Sequence, residues 1–277
     1  MILKSFAKIN LALEIKNKRT DGFHNLNMIM QSISLFDLIK ISKINLNKII
    51  ISCNKNICKV QKNLAYKAAK IIFDLINPDF GIKIKIKKNI PIGAGLGGGS
   101  SNAAAVIFGL NKILNLNFSD NKIMEICEKL GSDVPFCYYG GTIMCQGKGE
   151  ILSKINNLAK YKILLKINNQ KNYTKNIFEK FDNFIKNNFE FENNNSRIKI
   201  LEENILSKNI NKIQKNCFND FEKIIQVPID WHLTGSGSAI FKIINKNINK
   251  NYENLDKNII ICEPVNHGVE IIENNWN

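Results

Sequence analysis

The chain has 277 residues, 44% of them hydrophobic and 23% charged, which is enough to bury a sizeable core and too apolar for a disordered polymer. It holds no run approaching the roughly 18 uncharged apolar residues that span a bilayer, and its opening, MILKSFAKINLALEI, alternates like a strand rather than like a signal peptide, so a cytoplasmic protein without a membrane partner is expected. The net charge of +15 belongs to lysines dispersed through a chain crowded with Ile, Asn and Lys, the residues an AT-rich genome favours; no nucleic-acid partner is expected, and the charge is left to attract an anionic small molecule.

In chain order, the first strand runs from Phe6 to Glu14. Ala7, Ile9, Leu11 and Leu13 line one face against a core, while Lys8 and Asn10 point together to the other, unusual equipment unless a cleft lies there. A turn follows at Thr20-Asp21-Gly22, then an apolar segment from Met28 to Ile41. Asn63 opens a helix that closes at Asn77-Pro78, with Leu64, Ala65, Ala68, Ile72, Leu75 and Ile76 at helical spacing. Ile82, Ile84 and Ile86 alternate with Lys83, Lys85 and Lys87 in a half-buried strand. After a glycine run, a helix is predicted from near Ser100 to Leu114, and another from a cap at Ser119 or Asp120 to a stop at Gly131. The stretch from Asn168 to Lys199 is part helix, with a surface loop around Asn194-Asn195. One helix is predicted from Ile205 to Ile225, and a second glycine loop feeds a strand between Leu233 and Ile244. A boundary between two lobes is expected near residues 150–160.

Seven cysteines (Cys53, Cys58, Cys127, Cys137, Cys145, Cys217, Cys262) contain no C-x-x-C pair and read as reduced, small apolar residues. His24, His232 and His267 are far apart, so no metal cluster is visible and no protein metal site is predicted.

The central feature is Pro91-Ile92-Gly93-Ala94-Gly95-Leu96-Gly97-Gly98-Gly99-Ser100-Ser101-Asn102-Ala103. Five glycines between a strand and a helix leave no side chain between the backbone amides and a ligand. The free N–H groups of the helix's first turn then face outward with the positive end of the dipole, an arrangement that binds phosphate, and Ser100 and Ser101 add hydroxyls there. No Gly-Lys-Ser/Thr follows, which excludes a Walker A loop. Gly93, Gly95 and Gly98 satisfy G-x-G-x-x-G, but the acidic residue some 20 positions on, Asp120, starts a helix and ends no strand, so the dinucleotide fold fails on context. Asp133, between a helix stop and Pro135, reads equally well as a helix cap, and Lys8 alone as a solvated strand lysine. As a pair they are suited to catalysis: the carboxylate takes a hydroxyl proton, and the ammonium keeps it ionised and steadies the attacking oxygen.

The glycine run resembles that of the GHMP kinases, and so do Ala7-Lys8-Ile9-Asn10-Leu11, Asp21-Gly22-Phe23-His24, Gly131-Ser132-Asp133-Val134-Pro135-Phe136, Gly147-Lys148-Gly149-Glu150 and Leu233-Thr234-Gly235-Ser236-Gly237, in that order. The resemblance implies a two-lobed α+β fold, with a ribosomal protein S5 domain 2-like lobe over 1–155 and a ferredoxin-like lobe over 156–277. It implies ATP as phosphoryl donor with Mg2+, bound by Pro91, Ile92, Gly93, Ala94, Gly95, Leu96, Gly97, Gly98, Gly99, Ser100 and Ser101, with Asn63 and Lys88 near adenine and ribose. Lys8 and Asp133 become the catalytic pair, with Asn10 beside them. Within the family the blocks are most similar to the branch that phosphorylates the 2-hydroxyl of a cytidine diphosphate-linked methylerythritol in non-mevalonate isoprenoid synthesis. There Phe23 is expected to stack on cytosine, His24 to read its edge, and Thr174 and Phe178 to complete the pocket, although Asn168–Phe178 lacks the branch's usual proline and small residues. The resemblance also sets Thr234–Gly237 at the active cleft, while Asn219-Asp220-Phe221-Glu222 is assigned to packing. A mevalonate or homoserine kinase of the same family is the alternative, and a basic nucleic-acid-binding protein the one from another class. A monomer or weak homodimer is expected.

Overall fold

The computed structural model describes residues 1–55, 58–156, 160–168, 174–187, 195–246 and 258–272. Two long strands, β1 (Ile2–Lys18) and β2 (His24–Ile44), are followed by β3 (Ile49–Cys53), helix α1 (Leu64–Ile76), β4 (Gly81–Lys87), α2 (Gly98–Ile113), α3 (Asp120–Leu130), the short α4 (Val134–Tyr139), β5 (Thr142–Gly147) and β6 (Ile151–Lys154). Next come β7 (Tyr161–Ile167), α5 (Thr174–Asn187), α6 (Asn195–Leu206), α7 (Ile210–Asn216), β8 (Phe218–Asn219), β9 (His232–Leu233), β10 (Ala239–Asn245), β11 (Ile259–Cys262) and β12 (Val269–Ile272). Among the described residues these strands form an eight-stranded sheet, β12-β1-β2-β4-β3 with β5, β6 and β8 attached, and a four-stranded sheet, β11-β7-β10-β9. The fold is thus a two-lobed α+β architecture. The division proposed at residue 155 separates the two sheets but not every strand, because β8 and β12 pair with β1.

Most helix ends lie where their capping residues put them. The Asn63 side chain accepts from Ala65 N at 2.9 Å and opens α1, which ends in left-handed Asn77 (φ 42°). Ser119 caps α3, and Gly131 follows its last turn. Helix α2 starts at Gly98, two residues before the expected Ser100. The single helix predicted over Ile205–Ile225 is corrected. The chain breaks at left-handed Lys208 (φ 56°), Asn209 caps a second helix that ends at Asn216, and Phe218-Asn219 then joins β1 as a parallel strand. Ile205 and Ile213 are both fully buried, so the apolar spacing runs on across a break that only the backbone reveals. Of the expected loop around Asn194-Asn195, Asn194 lies outside the described residues and Asn195 begins α6.

Strand β1 departs from simple alternation. Its ladder with β2 slips between Phe6 and Ala7 and again between Asn10 and Ala12, where Leu11 is passed over. The first slip passes over Ser34 and Leu35 of β2, and the second adds one residue to β1, which turns the side chains that follow to the opposite face. Ala7, Ile9 and Leu11 therefore pack with Tyr161, Ile163 and Phe241 of the second sheet, whereas Leu13 and Ile15 join the core beneath the helices. The expectation that Leu13 shares a face with Ile9 is corrected on that ground.

The strand of alternating Ile and Lys forms as expected, with Ile82, Ile84 and Ile86 buried and the lysines exposed. Ile84 lies between Ile41 on β2 and Ile51 on β3 and is fully buried. Ile84→Ala is expected to lower unfolding stability by about 2–5 kcal/mol, through lost burial and a cavity that a sheet interior closes poorly. Urea denaturation reads this directly, and an unshifted midpoint would contradict it. The cysteines Cys127, Cys137, Cys145, Cys217 and Cys262 are free and buried. Burial pushes the Cys127 thiol up to about 12 and that of Cys262 to about 11, so these side chains pack and do not react.

Candidate active site

The glycine run links β4 to α2 through three left-handed positions, Gly93, Gly95 and Gly97 (φ 75°, 80° and 68°). Two of them are forced by close neighbours. A Cβ on Gly95 would stand 2.3 Å from the Thr234 carbonyl oxygen, and one on Gly97 would stand 2.9 Å from Cγ of Lys8. The Thr234–Gly237 loop is therefore part of the cleft and no remote hairpin, and Ala239 N donates to Ala94 O at 3.1 Å beside it. Lys8 N donates to Leu96 O at 3.0 Å and ties β1 to the same loop. Gly97 occupies the N-cap of α2 without any side-chain cap, so the first-turn amides meet no side chain of their own, as a phosphate site requires.

Lys8 and Asp133 meet here. Lys8 Nζ lies 3.5 Å from Asp133 Oδ2, with the lysine side chain 5% exposed and the aspartate 32%. Asp133 stands at the N-cap of α4 but makes no capping hydrogen bond, which closes the helix-cap alternative. Lys8 Nζ also donates to Asn10 Oδ1 at 2.7 Å, and Asn10 N donates to Thr234 Oγ1 at 3.1 Å. A half-exposed carboxylate is thus held beside a nearly buried ammonium, next to a helix mouth that attracts phosphate.

Two predicted nucleotide ligands are occupied otherwise. The Ser101 hydroxyl donates to Phe6 O at 2.8 Å and is fully buried, so it braces β1 against α2; Ser100 is the hydroxyl residue left on the cavity wall. Lys88 lines the cavity, but its ammonium is buried in an ion pair with Asp37 and donates to Asn102 Oδ1 at 3.2 Å. Asp37, itself fully buried, also accepts from Asn89 N and Ile90 N, so Lys88 belongs to a clamp beneath the glycine loop. Asn63 both caps α1 and faces the cavity.

At the other end, Phe23 projects from the β1–β2 turn, 55% exposed, with Lys148 Nζ 5.4 Å from its ring centre. His24 opens β2, and the ring of Phe178 on α5 lies on its imidazole, centroids 5.0 Å apart and planes 21° apart. Phe221 meets Phe178 edge-on at 4.9 Å. Thr174 Oγ1 accepts from Ser236 Oγ at 2.8 Å, which draws the start of α5 to the Thr234–Gly237 loop. Residues 169–173 of the divergent segment lie outside the described residues.

Sequence reasoning missed three side chains. Asp182 bonds His24 Nε2 at 2.7 Å; its spacing of four from Phe178 and eight from Thr174 puts all three on one face of α5, a signal that was available. Asn219 and Glu222, expected only to pack, instead brace the cleft loop. Asn219 Nδ2 donates to Leu233 O and Gly235 O, and Glu222 Oε1 accepts from Leu233 N at 2.7 Å.

One cavity of about 980 Å3 runs from Asn63 and the glycine loop past Lys8, Asn10 and Asp133 to Phe23, His24, Thr174, Phe178 and Asp182. Residues 63–141, spanning the loop and Asp133, match the family model described as the GHMP kinases N terminal domain. The 4-diphosphocytidyl-2-C-methyl-D-erythritol kinase of Caldicellulosiruptor saccharolyticus is 39% identical over 260 residues, covering 88% of each chain. A crystal structure of a 4-(cytidine 5'-diphospho)-2C-methyl-D-erythritol kinase is similar with a TM-score of 0.69 at 23% identity, over 87% of this chain and 89% of that one. L. major mevalonate kinase in complex with R-mevalonate is similar at 0.71 with 15% identity, over 94% of each chain. At those identities the structural likeness carries the fold and leaves the choice of substrate to the sequence and the cavity.

Proposed function

The chain belongs to the 4-diphosphocytidyl-2-C-methyl-D-erythritol kinases of the GHMP kinase group, and we propose that it works through the Lys8–Asp133 pair set against the glycine loop. It is an ATP-dependent small-molecule kinase that phosphorylates 4-diphosphocytidyl-2-C-methyl-D-erythritol in isoprenoid precursor biosynthesis. The observation that carries the residue assignment is the 3.5 Å contact between Lys8 and Asp133, made where the Lys8 stem lies against Gly97.

In this reading the ATP phosphates rest on the amides at the start of α2, with Asn63 toward the nucleoside. Asp133 takes the proton of the substrate's 2-hydroxyl as its oxygen attacks the γ-phosphorus, and the bond to the β,γ-bridging oxygen breaks to release ADP. Lys8 offsets charge on the attacking oxygen, and Asn10 holds the ammonium in place. Among the described residues no group of three or more His, Cys, Asp or Glu could hold a metal. A magnesium ion would arrive on the ATP phosphates, with Asp133 the carboxylate beside Lys8 that could help hold it, and would supply neutralisation of phosphate charge.

Phe23, His24, Thr174 and Phe178 take the cytidine end. A mevalonate or homoserine kinase has no use for an aromatic and a histidine there, which supports the cytidine-linked substrate over theirs. The same reading carries a cytoplasmic enzyme, monomeric or weakly dimeric, without nucleic-acid or membrane partners; among the described residues no helix is long and apolar enough to cross a membrane. ADP release measured with the diphosphocytidyl substrate beside mevalonate, homoserine and galactose tests the whole. Turnover is expected with the first alone, and His24→Ala is expected to raise its KM by about tenfold or more while the KM for ATP holds. Equal turnover of mevalonate would sink the assignment.

A further inference from the structure

His24 is held from one side by a partner that dictates which of its ring nitrogens carries a proton. Its Nε2 lies 2.7 Å from Asp182 Oδ1, and the other oxygen, Oδ2, receives Lys18 Nζ at 2.5 Å. Lys18 is paired with His24 across the end of the β1–β2 ladder, so one aspartate from α5 grips both strands. Partial burial pushes the pKa of Asp182 up, but the hydrogen bonds from Lys18 and His24 outweigh it and leave the carboxyl below its usual range. An ionised carboxylate only accepts, so Nε2 must be the nitrogen that donates. Stacking on Phe178 fixes the ring plane. Among the described residues Nδ1 has no hydrogen-bond partner, while His24 and Asp182 both border the cavity.

We propose that Asp182 is a positioning residue that locks His24 with its proton on Nε2, so that Nδ1 meets the substrate as a hydrogen-bond acceptor and selects a 4-aminopyrimidine over a 4-oxopyrimidine. The 4-amino group of cytosine donates to such an atom, whereas the 4-carbonyl of uracil would set two acceptors face to face. A buried acceptor opposite an acceptor is left unpaired, and that loss discriminates more strongly than an absent methyl group could. The inference rests on the cytidine end of the cavity proposed above, and it assigns the choice of base to an aspartate on α5 acting through the histidine.

Two measurements test it independently. In the folded wild-type protein at neutral pH, nitrogen NMR of the His24 ring is expected to show a protonated Nε2 and a bare Nδ1; a proton on Nδ1 would overturn the inference whatever the enzyme turns over. In kinetics, wild type is expected to prefer the cytidine-linked substrate to its uridine-linked analogue by at least about tenfold in kcat/KM. Asp182→Asn, whose amide can also donate to Nε2 and so allow the other tautomer, is expected to shrink that ratio by about tenfold, mainly through KM for the pyrimidine substrate, with KM for ATP unmoved. An unchanged ratio in a folded Asp182→Asn protein, judged by its circular dichroism, would overturn the positioning role. Should wild type turn over neither pyrimidine substrate, the proposed function fails, and the NMR result still decides the tautomer.

Discussion

Asp133→Asn is expected to bind ATP and the diphosphocytidyl substrate nearly as wild type does and to lose turnover by about 10^2- to 10^4-fold. The amide keeps the shape of the carboxylate but neither its charge nor its capacity to take the hydroxyl proton. Fold stability should change little. Asp133 is about a third exposed and its bond to Lys8 is long at 3.5 Å, so the pair contributes no more than about 1 kcal/mol, and Asn10 still holds the ammonium. Lys8→Met should also cut turnover, and the double variant should be scarcely slower than the worse of the two singles, because residues that act as one unit do not add. Single-turnover kinetics alongside calorimetric ATP binding separates chemistry from binding. Full activity in Asp133→Asn would remove the proton-acceptor role.

Gly95→Ala should damage the site from a different direction. The residue sits at φ 80°, where a side chain costs about 1–2 kcal/mol, and its Cβ would come within 2.3 Å of the Thr234 carbonyl oxygen, a backbone atom that cannot rotate away. The glycine loop and the Thr234–Gly237 loop must then part. Thr234 Oγ1 receives Asn10 N, and Asn10 holds Lys8, so the separation reaches the catalytic pair. The KM for ATP is expected to rise more than about tenfold, kcat to fall with it, and stability to drop by about 2–4 kcal/mol. Gly93→Ala has a similar φ of 75° but nothing within 4 Å of the added Cβ, so its stability cost should stay near 1 kcal/mol. Thermal melts of the two proteins side by side read the difference, and equal losses would mean that backbone conformation, not loop contact, sets the cost.

The contrast between these two glycines marks where local pattern stops being informative. Both were readable as members of one phosphate-cradling run, yet which of them touches another loop depends on Thr234 and Gly237, far along the chain. The same holds for Ser101, whose place at a helix start promised a phosphate contact until Phe6 O was found to take its hydroxyl. Asp182 lay one helical turn from Phe178 in plain view, but nothing in its own neighbourhood singled it out before β1 and β2 were folded against α5.

What the amino-acid order decided unaided were the features written within a few residues of each other: the caps at Asn63 and Ser119, the half-buried Ile–Lys strand, and a glycine run that can only be a turn into a helix. Dihedral freedom, capping hydrogen bonds and side-chain periodicity are near-neighbour effects, so they can be read from a short stretch. The bulge that reverses the faces of β1, the break at Lys208 and the meeting of Lys8 with Asp133 were settled only in three dimensions. Each depends on what a distant strand or loop presents at the point of contact, and packing against that partner outweighs the local preference of the residues involved.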